Sequence, residues 1–136
     1  MHYIQITPEG ALPDVSRHAP FMAVIAPEEK LEDARQAEIA RWLVDSGARY
    51  VLVCGPSASR WKEAVRAANL AAFDIDSMQP EDFVMITAHA HESLRGIYWH
   101  AKKHARHTHH ELKNLLTIHI SLENRAAAYA AQHSKA

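Results

Sequence analysis

The only cysteine of the chain and an arginine shortly after it are residues whose types and spacing could do chemistry. Cys54 ends the apolar run Tyr50 to Cys54, and five residues separate it from Arg60. In open α/β sheets ligands bind beyond the carboxyl ends of strands, so a site is expected at this turn. A Cys54 thiolate, with its pKa lowered by a helix N-terminus, would act as a nucleophile, and Arg60 would hold the oxygens of a phosphate-like anion.

The segment from Cys54 to Arg60 resembles the phosphate loop of cysteine-dependent protein phosphatases and of some arsenate reductases. This resemblance implies an enzyme that uses those two residues. The sequence departs from the pattern at Pro56, which removes a backbone N–H from the middle of the cradle, and at Trp61, which replaces the usual hydroxyl residue. The candidates for a general acid are Asp74, Asp76 and Asp82. The alternative, which we favour, is a small buried thiol at the end of a core strand.

A simpler role for the same turn is anion binding without catalysis. The amides near Ser57, Ser59 and Arg60 would begin a helix, where backbone N–H groups and the helix dipole favour negative charge. One glycine, Gly55, cannot provide the close approaches of a glycine-rich nucleotide loop. The sequence therefore argues against nucleotide binding by a standard motif.

Histidines crowd the last third of the chain, with seven of the eleven between His89 and His110. His100, His104 and His107 have a spacing that could hold a divalent metal ion on a helix. Lys102 and Lys103 lie between them, however, and would repel a cation. We therefore favour a polar helix flank over a metal site, and we expect no cofactor.

Two further histidines, His89 and His91, follow a predicted core strand. They could serve as general bases beside Cys54. The interpretation that we favour is that they are ordinary loop caps.

Charge is distributed unevenly along the chain. Residues 1–92 carry 8 Lys and Arg against 14 Asp and Glu, whereas residues 93–136 carry 7 against 2. The net charge of −1 argues against a nucleic-acid binder. We expect the basic third to provide an interface for a partner protein. Its predicted contact residues are Trp99, Lys102, Lys103 and Arg106.

Apolar segments of strand length alternate with amphipathic segments of helix length. Strands are predicted at 2–7, 21–26, 50–54, 83–88 and 115–120, and helices at about 28–46, 57–72, 93–106 and 121–132. This alternation predicts one α/β domain over residues 1–136. We expect a mostly parallel sheet of about five strands with helices on both faces, Rossmann-like or flavodoxin-like. Residues 8–20 are predicted to be a loop that adds little to the core, residues 132–136 a polar tail, and the first strand an edge strand of either direction.

Three features of the sequence favour the cytoplasm as the cellular compartment. No apolar run approaches the roughly 20 residues needed to cross a bilayer, and residues 1–7 lack the pattern of a secretory signal. A single cysteine allows no intrachain disulfide, which favours a reducing compartment. We expect a cytoplasmic protein without membrane contact.

Three short motifs resemble a small bacterial family of about this length that has no assigned activity. They are Gly55-Pro56 to Trp61, Ala68-Asn69-Leu70 and His119-Ile120-Ser121. The resemblance implies no reaction. Because no catalytic set is complete, we expect a noncatalytic protein-binding domain, such as a toxin-neutralising immunity protein or a regulatory partner. The Cys54 and Arg60 enzyme and a histidine-rich metal-binding protein remain the alternatives.

Overall fold

A computed structural model describes residues 1–136 as five strands and four α-helices. The strands are β1 (His2–Ile6), β2 (Phe21–Pro27), β3 (Ala48–Cys54), β4 (Met85–His89) and β5 (Asn114–Ile120). The helices are α1 (Asp33–Ser46), α2 (Ala58–Ala72), α3 (Leu94–Lys103) and α4 (Ala126–Lys135). Strands and helices alternate after β1, as the sequence predicts.

All five strands run parallel in one sheet of order β1-β5-β2-β3-β4. The central strand β2 is flanked on both sides, with Ile25 in register with Val53 on β3 and Ile118 on β5. Such a strand is covered on both faces, which explains its continuous apolar sequence. β1 lies at an edge and is parallel to β5, so the open alternative of an antiparallel first strand is wrong.

Helices cover both faces of the sheet. Helices α1 and α2 bury Leu43 and Trp61 in a large apolar core on one face, and α3 and α4 bury Ile97 and Tyr129 on the other. Burial of each large apolar side chain contributes about 1.5–3 kcal/mol. The α/β class with helices on both faces of a parallel sheet is therefore confirmed.

The structure corrects several predicted boundaries on the second half of the chain. Helix α3 ends at Lys103 rather than Arg106, and His104 is its C-cap. Helix α4 begins at Ala126 and continues to Lys135, so the predicted polar tail is helical up to its last residue. Leu122, which lies within the predicted helix 121–132, precedes the observed helix and is 69% exposed.

The segment 8–20 is more ordered than predicted. Val15 is buried in the core, and the indole Nε1 of Trp42 donates to the carbonyl of Pro13 at 2.8 Å. The side chain of Arg35 donates to the carbonyl of Pro8 at 2.7 Å. These bonds fix the segment against α1, and Val15 is its only buried residue.

The chain leaves the sheet in opposite directions after two neighbouring strands. β2 leads to α1 on one face, whereas β5 leads to α4 on the other. This divergence opens a crevice at the carboxyl ends of β2 and β5, the position where α/β sheets bind ligands. None of the helices is long and apolar enough to cross a membrane.

Candidate functional site

The crevice between β2 and β5 contains a carboxylate held by a buried histidine. The backbone N–H of Glu28 donates to the carbonyl of Ile120 at 2.9 Å, which fixes the start of the side chain. The ring of His119 is fully buried in β5, and its Nε2 lies 3.1 Å from Oε2 of Glu28. This contact does not have the geometry of a hydrogen bond, so the buried Nε2 has no hydrogen-bond partner.

Hydrogen-bonding partners lie on both sides of the His119 ring. The N–H of Arg125 donates to the hydroxyl oxygen of Tyr3 at 2.9 Å. The same hydroxyl is in close contact with Nδ1 of His119 and can donate to it. A carboxylate only accepts, so the arrangement that suits both contacts has an N–H on Nε2, facing Glu28, and Nδ1 accepting from Tyr3.

The environment keeps Glu28 ionised. Partial burial alone would raise its pKa, but the contacts with His119 and Ser121 and the charge of Arg125 outweigh it and lower the pKa below its usual range. The hydroxyl of Tyr129 also donates to Oε1 of Glu28, at 3.4 Å. Burial, together with this negative charge, raises the pKa of Tyr129. The crevice therefore presents a positioned negative charge at neutral pH.

A second carboxylate is positioned in the same way beyond β4. His89 is 6% exposed, and its Nε2 lies 2.7 Å from the hydroxyl of Thr87. Its Nδ1 lies 2.8 Å from Oε1 of Glu92, at the start of the turn into α3. The Thr87 hydroxyl can donate to Nε2 while Nδ1–H donates to the carboxylate. Two carboxylates at this edge thus each have a buried histidine behind them.

Glu28 and Glu92 both line one small cavity of about 130 Å³. The rest of its lining is mainly apolar: Ala26, Pro27, Cys54, Gly55, Leu94, Ile97 and Tyr129. The two side chains are 42% and 48% exposed, so each carboxylate remains open to solvent at the rim. An apolar cavity with anionic groups at its rim is suited to a ligand with an aliphatic stem and a cationic end.

Cys54 lies in this cavity as a protonated thiol. Burial, with a further contribution from Glu92, raises the pKa of Cys54 to about 12. The phosphatase alternative needs a thiolate with a lowered pKa, which this environment does not provide. Arg60 lines a separate cavity of about 380 Å³ and is paired with Asp33. The favoured prediction of a buried thiol at the end of a core strand agrees with this position.

The predicted anion-binding residues are only partly brought together. Ser57 and Arg60 line the 380 Å³ cavity, but so do the carboxylates Glu28 and Glu29. Ser57 stands at the N-cap of α2 without a capping hydrogen bond from its side chain, and Ser59 is exposed on the first turn. The two carboxylates offset the charges of Lys30 and Arg60, so the lining of this cavity has no excess positive charge to attract an anion.

The aspartates considered as general acids lie in the loop before β4. Asp74 accepts from the backbone N–H of Asp76 at 3.0 Å, and Asp82 accepts from that of Gln79 at 3.0 Å. None of the three aspartates lines the cavity at Cys54. Their contacts stabilise turns of the loop.

The three histidines considered as metal ligands do not converge. His100 and His104 have ring centroids 5.7 Å apart, and His100 also packs against His89. The Nε2 of His107 contacts the carbonyl of Phe83 at 2.8 Å, and its Nδ1 accepts from the N–H of His109 at 3.0 Å. Both nitrogens of His107 are therefore occupied, and no group of three histidine, cysteine or carboxylate residues could hold a metal ion. The alternative of a three-histidine site is not supported, because α3 ends at Lys103 and His107 leaves the helix face of His100 and His104.

The predicted interface residues occupy two different surfaces. Trp99 is 48% exposed and packs against His104, and it lines a shallow cavity beside α4. Lys102 and Arg106 line a much larger cavity at the opposite end of the sheet. Lys103 is exposed between them and lines neither.

The central residues of the crevice were not identified from the sequence. Glu28 was interpreted as a residue of the helix start, and His119 only as part of a family motif. A signal was present, because a histidine within the continuous apolar run of β5 needs a polar partner when it is buried. The partners Tyr3 and Tyr129 come from distant parts of the chain, which only the sheet order brings together.

Comparison with known proteins gives a family but no activity. No curated protein and no solved structure matches the chain. A family model does match it over residues 1–136, in agreement with the resemblance to a family without an assigned activity. The chain belongs to the family described as domain of unknown function (DUF7684).

Proposed function

We propose that this chain is a small noncatalytic protein-binding domain that takes a lysine side chain of its partner into the cavity between Glu28 and Glu92. One observation carries the proposal: two open carboxylates, each backed by a buried histidine, flank one apolar cavity. The histidines hold the carboxylates in position before a partner arrives, which reduces the entropy lost on binding.

The shape and lining of the cavity favour lysine over arginine. A lysine presents a flexible four-carbon stem and a compact ammonium group, whereas an arginine presents a planar fork that needs wider bidentate contacts. The stem would pack on Leu94, Ile97 and Tyr129, which line the cavity. Its ammonium group would reach the rim, where both carboxylates are exposed to water.

The proposed binding partner is a protein of the same cell. We expect that cell to be bacterial and the interaction to take place in its cytoplasm. The same contact would serve two roles. In neutralising a toxin or controlling a regulatory protein, the domain would cover an exposed lysine on the active or interaction surface of its partner. Charge complementarity of this kind mainly determines specificity and the rate of association.

A peptide titration followed by NMR tests the proposed function. The probe is an acetylated and amidated peptide Gly-Gly-Lys-Gly-Gly, compared with the same peptide carrying norleucine, which keeps the stem and lacks the charge. We expect saturable shifts of the backbone amides of Cys54, Gly55 and Leu94 with the lysine peptide. The Kd should be on the order of millimolar or weaker, because the peptide buries only one short stem and its exposed ion pair adds less than about 1 kcal/mol. The norleucine peptide should bind about fivefold more weakly.

Charge-removing variants provide the control. E28Q and E92Q should each weaken binding of the lysine peptide by about twofold without affecting the norleucine peptide, since each removes one of the two rim charges. E123Q, which removes an exposed carboxylate outside the cavity, should leave both affinities unchanged. Equal binding of the two peptides, or shifts located elsewhere on the protein, would reject the proposed function.

A further inference from the structure

The largest cavity of the molecule lies at the amino end of the sheet, away from the crevice. Its volume is about 900 Å³, within the range of small-molecule sites. Met1, Met22 and Leu115 form part of its lining at the starts of β1, β2 and β5, and Ala101 and Ala105 line it from the end of α3 and just beyond. The loop between α3 and β5 forms its remaining wall.

The charged lining of this cavity is predominantly basic. Lys102, Arg106 and Lys113 face one acidic residue, Glu111, so the lysine, arginine and glutamate side chains leave an excess of two positive charges. None of the three basic residues forms an ion pair with a carboxylate side chain. Five arginines elsewhere in the chain do form such pairs (Arg35, Arg41, Arg60, Arg66 and Arg125), whereas other basic residues such as Arg17, Arg49 and Arg95 do not.

Hydrogen bonds to backbone oxygens fix two of these cations. The Nζ of Lys102 donates to the carbonyl of His133 at 2.5 Å and to a backbone oxygen of Ala136, the last residue, at 3.3 Å. The guanidinium of Arg106 donates to the carbonyls of Ala105 at 2.7 Å and Lys102 at 3.2 Å. The two carbonyls that orient Arg106 carry no net charge, so its guanidinium remains able to attract an anion.

The wall of the cavity is held in place by two histidines. His107 is 8% exposed, and because its Nδ1 accepts from the N–H of His109, its Nε2–H donates to the carbonyl of Phe83. His110 contacts the carbonyl of Glu81 through Nε2 at 2.8 Å. These contacts fix the loop beside the cavity although it has no regular secondary structure.

We propose that this cavity binds a small organic phosphate, with the phosphate group on Arg106 and Lys113 and the apolar part of the ligand on Met22, Leu112 and Leu115. Cations fixed by carbonyls and an apolar floor meet in one concave space, which matches a compact anion with an apolar body. Arg106 offers the planar donor pair that binds phosphate oxygens, and Lys113 adds a second charge. The net charge of the whole chain is −1, so the attraction is local to this cavity.

Titration with three related probes tests the phosphate site. Phenyl phosphate carries both ligand features, inorganic phosphate lacks the apolar part and phenol lacks the charge. We expect phenyl phosphate to shift the amides of Leu112 and Lys113 saturably and to bind at least tenfold more tightly than either partial probe. Raising the salt from 50 to 500 mM should weaken it several-fold, since salt screens the charge attraction.

Matched variants separate the site from general surface charge. R106Q and K113Q should each weaken the binding of phenyl phosphate at least fivefold. K103Q changes a residue next to Lys102 but outside the cavity, so it should leave that affinity unchanged. Circular dichroism melts confirm that each variant folds. No saturable shift up to 10 mM, or an equal effect of K103Q, would overturn the proposal. Tight binding of a single-stranded DNA decamer without binding of phenyl phosphate would also overturn it, in favour of a nucleic-acid surface.

Discussion

The two ends of the sheet carry opposite charge and use histidine in different ways. At the carboxyl end, buried His119 and His89 each contact a carboxylate that remains open to solvent. At the amino end, His107 and His110 contact backbone carbonyls and leave the neighbouring cations unpaired. A histidine therefore positions a negative group in one region and a loop in the other. The histidines of this sequence therefore support two cavities whose charged linings differ in sign, and they form no group of three possible metal ligands.

The largest expected effect concerns the thiol at the carboxyl end. With a pKa of about 12, the ionised fraction of Cys54 at pH 8 is about 1000-fold smaller than for a thiol at the ordinary 9.0. The more basic thiolate is intrinsically more nucleophilic, which offsets part of this difference, so we expect iodoacetamide to alkylate Cys54 tens of times more slowly in the folded protein than in 8 M urea, as measured by mass spectrometry. A folded-state rate within tenfold of the unfolded rate would restore the enzymatic alternative and break the comparison.

The next effect is that of removing the histidine behind Glu28. His119→Leu leaves the hydroxyl of Tyr3 without its buried acceptor, and we expect a loss of about 1–3 kcal/mol in the free energy of unfolding. Urea denaturation measures this loss. His91→Leu removes an exposed histidine at the same end of the sheet and should cost less than about 0.5 kcal/mol. Equal stability of the two variants would show that the His119 contacts do not hold this end together.

A smaller effect is expected from the corresponding histidine at the amino end. His107→Gln weakens the contact with Phe83 and should cost about 1 kcal/mol. Hydrogen exchange should become faster in residues 104–113 and stay unchanged at Cys54 and Gly55. His109→Gln serves as the control because the side chain of His109 is exposed. Faster exchange at both ends would mean that the two regions are coupled rather than independent.

The smallest effect is a pH dependence at Glu28. Its folded-state pKa lies below the ordinary 4.5, so the ionised carboxylate stabilises the fold above about pH 4.5. That contribution is lost as the pH falls through the lowered pKa. We expect E28Q to be less stable than the parent at pH 7 and nearly equal to it at pH 3, by urea denaturation. The opposite order would mean that the pKa is raised and that the carboxylate is strained by burial.

The sequence predicts the sheet well because its strands are continuous apolar runs. Tyr50 to Cys54 needs two covered faces, and the structure places it one strand from the centre. The end of α3 was misjudged because Ala105 is buried and continues the apolar stripe, although the helix has already ended at Lys103. The sequence pattern does not distinguish a buried residue inside a helix from a buried residue just after the helix has ended.

The candidate site was less predictable because its residues meet only through the order of the strands. β5 inserts between β1 and β2, which brings Tyr3 beside His119 and His119 beside Glu28. No local pattern encodes that insertion. Cys54 was identified as a site residue from its position after a strand, and it does line the cavity. Its chemistry could not be predicted, since the pKa depends on burial and on Glu92.

The most direct test of opposite charge at the two ends is one protein sample titrated in NMR with the lysine peptide and with phenyl phosphate, each alone and in the presence of the other. We predict two separate groups of shifted amides, Cys54, Gly55 and Leu94 for the peptide and Leu112 and Lys113 for the phosphate, with neither Kd changed by the other probe. Both probes shifting the same amides, or either probe shifting none, would contradict the account.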